Sequence, residues 1–177
     1  MLGIIIGVVI FVLVIAITTV IYHTKFQFVV IKIEEAENNI GILLDKKLDL
    51  LKKCIPVIRK SLKEKDFMDE FEIFSKDQMT SLELHNYLRK NYNKIFKTLD
   101  ENEKLYKRKN LISLLDELNE NELQLSAAIK FYNDNVVINN KLVSSFPSNI
   151  IRLFFGYKEK DFYDNEKREE FEILKEK

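Results

Sequence analysis

No charged side chain occurs among the first 24 residues of this chain, which excludes an ordinary water-facing element there. Cysteine is nearly missing too. Cys54 stands alone, so no internal disulfide is available, and its neighbours Leu50, Leu51 and Ile55 mark it as a small core residue rather than a reactive thiol. With four Gly and two Pro the chain has little turn chemistry, and its apolar residues recur at three and four rather than at two, which points to helices. Neither sign of charge dominates: 28 basic residues balance 28 acidic ones, which argues against a nucleic-acid binder that relies on a broad positive surface. Gly-rich phosphate loops are absent from the sequence. One Cys and two distant His cannot close a zinc site, and no Glu-x-x-His pair supplies a carboxylate-type bundle metal site. These gaps predict a protein that is not an enzyme and carries no cofactor or metal.

What is present begins with the run from Leu2 to Tyr22, dominated by Ile, Val, Leu and Phe. At about 1.5 Å per residue it covers the roughly 30 Å hydrocarbon layer, so residues 1–24 read as a membrane anchor with the lipid bilayer as its partner through residues 2–22. A cleaved signal peptide is disfavoured, because nothing basic precedes the run, the run is too long, and Thr18 to His23 has no Ala-x-Ala pattern. Lys25 and Lys32 follow the run and only the terminal amine precedes it, which predicts a single-pass cell-membrane protein with its N-terminus outside and its bulk cytoplasmic.

The remaining residues, about 150, suffice for one domain with a real core. A first helix is expected from about Phe26 to Lys65, continuous with the anchor or nearly so, with a kink near Pro56. A second is expected from about Asp66 to Leu99, with Phe67, Phe71, Phe74, Leu88, Tyr92 and Ile95 on its apolar side. The third is the clearest: Leu111, Leu115, Leu118, Glu122, Leu125, Ile129, Tyr132, Val136, Asn139, Val143 and Phe146 alternate steps of four and three, a heptad seam that Pro147 ends. The fold class expected is all-α: an N-terminal transmembrane helix, an antiparallel up-down-up bundle of three long helices over residues 25–157 with a short C-terminal helix, and a charged tail, 158–177. An intermolecular coiled coil, and with it a homo-oligomer, is the alternative use of the seam.

Tyr132-Asn133, Val136, Asn140, the stretch Phe146-Pro147-Ser148-Asn149-Ile150-Ile151 and Phe155-Gly156-Tyr157 together resemble the C-terminal signature of the LemA family. Leu44-Asp45-Lys46-Lys47-Leu48-Asp49-Leu50 resembles its basic pair followed by Asp-Leu, and Glu122 stands where its third helix carries an acid. The sequence departs from the pattern at Lys47 and Ile129, where Arg is usual, at Asn139, where an aromatic is usual, and at Lys52, whose usual Pro is found at Pro56. The resemblance implies a membrane-anchored helical bundle, bacterial in most members, and suggests no reaction.

The functional expectation is a scaffold or adaptor that presents a helical surface to an unidentified membrane or cytoplasmic protein. A membrane-surface protein that binds anionic headgroups is the alternative, and nucleic acid is not expected as a partner. Three groups of residues carry these readings. Phe146, Ile150, Ile151, Phe154, Phe155 and Tyr157 form a candidate partner patch, either docking face or plug of the bundle end. Lys47, Glu122 and Asn139 form a candidate polar seam that sets register, with helices one and three expected to run parallel. Lys104, Lys107, Arg108 and Lys109 form a candidate lipid-facing turn, expected near the headgroups if helix two returns toward the membrane. The charged tail is expected to be a solubilising or disordered flank.

Overall fold

The apolar run and the first amphipathic stretch form one uninterrupted helix, α1 (Leu2–Leu62), in the computed structural model, which describes residues 1–77, 79–163, 169, 171 and 172. The two stretches are therefore one helix, and α1 passes through Pro56, which removes one backbone bond and sets its ring against the carbonyl one turn back. Its first segment is long and apolar enough to cross a membrane, and none of that window is buried. After α1 come α2 (Asp69–Glu72), α3 (Ser81–Glu101), a 3-10 turn (Glu103–Lys107), α4 (Lys109–Ser144) and α5 (Ser148–Phe155), with no strand among the described residues. The all-α class and the inventory of an apolar first helix, three long helices and a short C-terminal one are as expected. By contacts the chain divides into two compact units, residues 37–129 and residues 1–36 with 130–177.

In the unit of residues 37–129 the core is built from one stripe of each helix. Ile40, Leu44, Leu51, Cys54 and Ile58 of α1 are fully buried, as are Leu88, Ile95 and Leu99 of α3 and Leu111, Leu118 and Leu125 of α4. Residues 63–80 depart from the expected second helix. Lys63 and Met68 take positive φ of 61° and 57°, which ends α1 and leaves only the single turn of α2 before Ser81. The periodic Phe67, Phe71 and Phe74 do not form a helical face; instead Phe71 and Phe74 stack with Tyr87 of α3, at 5.7 and 4.2 Å between centroids. This stretch runs back along α1, as its links from Arg59 to the Phe67 carbonyl, Lys52 to the Phe74 carbonyl and Asp45 to Lys76 record in order.

Because residues 63–80 make the return, α3 runs in the same direction as α1, with Leu84 beside Leu44 and Lys94 over the Phe67 ring that neighbours Arg59. Helix α4 then runs opposite to α1: Lys107 to Asn110 flank Pro56 to Ser61, whereas Asn121 and Glu122 reach Leu43 and Lys47. Helices one and three of the sequence reading are thus antiparallel rather than parallel.

In the unit of residues 1–36 and 130–177, Phe26, Val29, Ile33 and Ala36 of α1 are buried, together with Tyr132, Val136, Asn139 and Val143 of α4 and Ile151 of α5. Phe146, expected as the last seam position, lies beyond the end of α4 and is 78% exposed. The expected free tail is also corrected at its start. Residues 158–163 lie along α4, held by five side chains of that helix, and Phe162 is buried against Phe171. The rest of the tail lies outside the described residues.

Candidate functional site

Two constellations answer to the sequence-level candidates, one in each unit. The first is polar. Lys47 of α1 has no exposed surface, and its Nζ donates to Glu122 Oε2 of α4 at 2.5 Å, while the ammonium also lies 4.9 Å from the Tyr92 ring of α3. Tyr92 in turn donates to Asn119 Oδ1 at 3.2 Å. The cation of α1 is thereby met by an anion from α4 and a π face from α3, which is what a desolvated ammonium requires. Burial, and next the Lys47 and Arg89 charges, lower the pKa of nearby His85 from its ordinary value, while Glu122 acts in the opposite sense. Burial pushes the Cys54 thiol up to about 11, so it is protonated and inert at neutral pH. Among the described residues no group of three or more His, Cys, Asp or Glu is placed to hold a metal ion.

Asn139, the other polar position of the seam, has partners of its own. Its Nδ2 donates to the Lys158 carbonyl at 2.9 Å and to Asn140 Oδ1 at 3.0 Å, in the unit of residues 1–36 and 130–177. Asn140 closes a two-way bridge with the backbone of Lys160, and Asn133, one heptad earlier, accepts from the Tyr163 N–H at 3.0 Å. Tyr132 O–H donates to the Asp161 carbonyl at 3.1 Å. A strand partner is thus replaced by a ladder of helix side chains. In the sequence, Asn133 and Asn140 stand out only within the family resemblance. The signal available was their seven-residue spacing, each next to a seam position, Tyr132 and Asn139.

The second constellation is aromatic and joins α5 to α1. Helix α5 follows the cis Phe146–Pro147 bond, starts with Ser148 donating to the Ser145 carbonyl, and stops at Gly156, whose φ of 74° provides the left-handed cap. Just beyond the cap, Tyr157 stacks on Phe26 at 4.2 Å and shares a 3.0 Å hydrogen bond with His23 Nδ1. Phe155 lies 4.1 Å from the His23 ring. Ile151 is buried, whereas Ile150, Leu153 and Phe154 are 48%, 75% and 82% exposed. Of the six patch residues, α5 and its flanks therefore turn Ile151 and Tyr157 inward and leave Phe146, Ile150 and Phe154 outward, with Phe155 between.

Lys104, Lys107, Arg108 and Lys109 are all exposed, and the last three flank Pro56 to Ser61 of α1. The return expected of the second helix is made by the stretch that follows α1 instead. A family model described as LemA family matches residues 36–174. Neither a curated protein nor a solved structure matches the chain.

Proposed function

The chain belongs to the LemA family, and from that premise we propose that it is a single-pass membrane protein whose helical part is a cytoplasmic scaffold or adaptor working without catalysis. The observation that carries this reading is α1 itself: one helix holds a wholly unburied apolar stretch at its start and buried core positions from Phe26 to Ile58. A segment that leaves sixteen large apolar side chains from Met1 to Ile21 exposed fits lipid far better than water. Lys25 and Lys32 after the run support the cytoplasmic side for the rest.

A scaffold role is favoured over a reaction because the buried polar centre is internally matched, its ammonium already engaged by Glu122 and Tyr92. Exposed Phe131 and Ile138, one heptad apart on α4, supply apolar surface for a protein partner. The reading is tested by fusing alkaline phosphatase after Lys177, which should give low activity, and by photo-crosslinking from residue 131 in native membranes, which should capture one defined protein. High reporter activity overturns the orientation, and a pattern of crosslinks no different from that of a polar surface site overturns the adaptor role.

A further inference from the structure

We propose that α5 lies in the headgroup layer beside the point where α1 leaves the bilayer, with its exposed apolar face in contact with lipid. The inference rests on the reading of Leu2 to Tyr22 as a membrane span, and adds a second, peripheral membrane contact to it. His23 is the first residue beyond that run, so at about 1.5 Å per residue it marks the boundary between hydrocarbon and headgroups. The far end of α5 is fixed at this level by three contacts: Phe155 on His23, Tyr157 hydrogen-bonded to His23, and Tyr157 stacked on Phe26.

Seen from that anchoring point, the distribution of side chains on α5 is that of a helix lying in an interface. Ile150, Leu153 and Phe154 follow at i, i+3 and i+4 on its outer face, and Phe146 precedes Ile150 by one turn's spacing. Ser148 and Ile151 face the protein. Four large apolar side chains with exposures from 48% to 82% are costly in water, and in an interfacial helix such a face sinks about 5–10 Å into the boundary of headgroups and acyl chains. Charge agrees with this occupant. The two segments that meet here, residues 1–33 and 135–158, carry Lys25, Lys32, Lys141, Arg152 and Lys158 and not one acidic residue. A bilayer containing anionic lipid is complementary to that balance, and Tyr22 and Tyr157 are of the residue type enriched at headgroup depth.

The test uses the full chain with single cysteines at Val12, Leu153, Phe154 or Ile73, each carrying an environment-sensitive fluorophore, in vesicles of phosphatidylcholine and phosphatidylglycerol. Cys54 is buried and stays unlabelled. Lipids bearing a nitroxide either near the headgroup or deep in the acyl chain serve as quenchers. The label at Phe154, and independently that at Leu153, should lose about half its emission or more to the shallow quencher, that at Val12 to the deep one, and that at exposed Ile73 to neither. Deep quenching at Val12 with none at Leu153 and Phe154 overturns the lipid contact and leaves the anchor standing. Labels at Leu153 and Phe154 that escape both lipid quenchers yet are shielded from aqueous iodide place a protein on α5 and also overturn the proposal. No quenching at Val12 overturns the anchor and, with it, this inference.

Discussion

Lys47 has lost all contact with solvent, and a buried ammonium is tolerated only while something answers its charge. Glu122 supplies the anion and Tyr92 a π face. Removing one partner leaves the other uncompensated, whereas removing both can be nearly neutral. Glu122→Leu alone is therefore expected to destabilise by about 3–5 kcal/mol, and Lys47→Leu with Glu122→Leu to recover most of that loss. Thermal melts of the four members of the cycle, followed by circular dichroism in detergent, check it; additive effects would mean that the pair is not coupled.

His85 makes a second prediction at the same scale. Burial, then the charges of Lys47 and Arg89, hold its folded pKa below the ordinary 6.5, so the fold favours the neutral ring. As pH falls, the unfolded chain takes up the proton first. The contribution is fully present above about 6.5 and is lost as pH falls through the folded value. His85→Gln should accordingly flatten the decline of melting temperature below about pH 6.5, while leaving values near pH 8 little changed. An acid limb identical in the two proteins would mean that His85 does not contribute to it.

At the scale of elements, the strap of residues 158–163 is held to α4 chiefly through side-chain amides, and Asn140 carries both halves of one bridge. Asn140→Ala deletes the partners of the Lys160 N–H and carbonyl at once, at a cost of about 1–3 kcal/mol for the polar groups left unmatched. The expected sign is local: faster amide exchange at Lys160 and Tyr163, with exchange in the buried turn around Leu118 unchanged. Uniform acceleration in both places would make Asn140 a residue of general stability instead.

The elements also separate what the sequence could tell from what it could not. The seam of α4 was legible because its apolar residues repeat every three and four over five heptads, and eight of its positions from Leu111 to Val143 are buried. Phe67, Phe71 and Phe74 have the same spacing, but Phe71 and Phe74 pack as aromatic rings against Tyr87 and Phe67 lies under Lys94, so their period reports neighbours on α3 rather than a helix. The breaks at Lys63 and Met68 left no trace in composition, since neither is the Gly that usually marks a left-handed turn. A usable start signal did exist: Thr80 and Glu83 form a capping box, with Glu83 Oε2 accepting from the Thr80 N–H at 2.8 Å. That box separates α3 from the stretch before it and so gives α3 and α4, within residues 37–129, directions opposite to those the periodicity predicts. The polar pair Lys47 and Glu122 was legible because two charges interrupt apolar stripes. The strap was not, because asparagines that bind an extended segment look in sequence like any polar residues on a helix.

For the whole molecule, the formal charge of zero hides an uneven placement that decides orientation in the proposed reading. Basic residues count mainly in short flanks within about 15–20 residues of a span, and acidic residues count for little. Lys25 and Lys32 fall inside that reach on the C-terminal side, whereas Arg152 and Lys158 come near the span only once the chain has folded. Insertion precedes folding of the C-terminal part, so the early pair should govern topology and the late pair should not. Lys25→Gln with Lys32→Gln, combined with two lysines inserted after Met1, is expected to move a substantial fraction of molecules to the opposite orientation. Arg152→Gln with Lys158→Gln should leave the orientation as it was. An alkaline phosphatase fusion after Lys177 reads both, as a rise in activity for the first set and none for the second. Equal activity in the two sets would mean that flanking charge does not set the orientation of this chain.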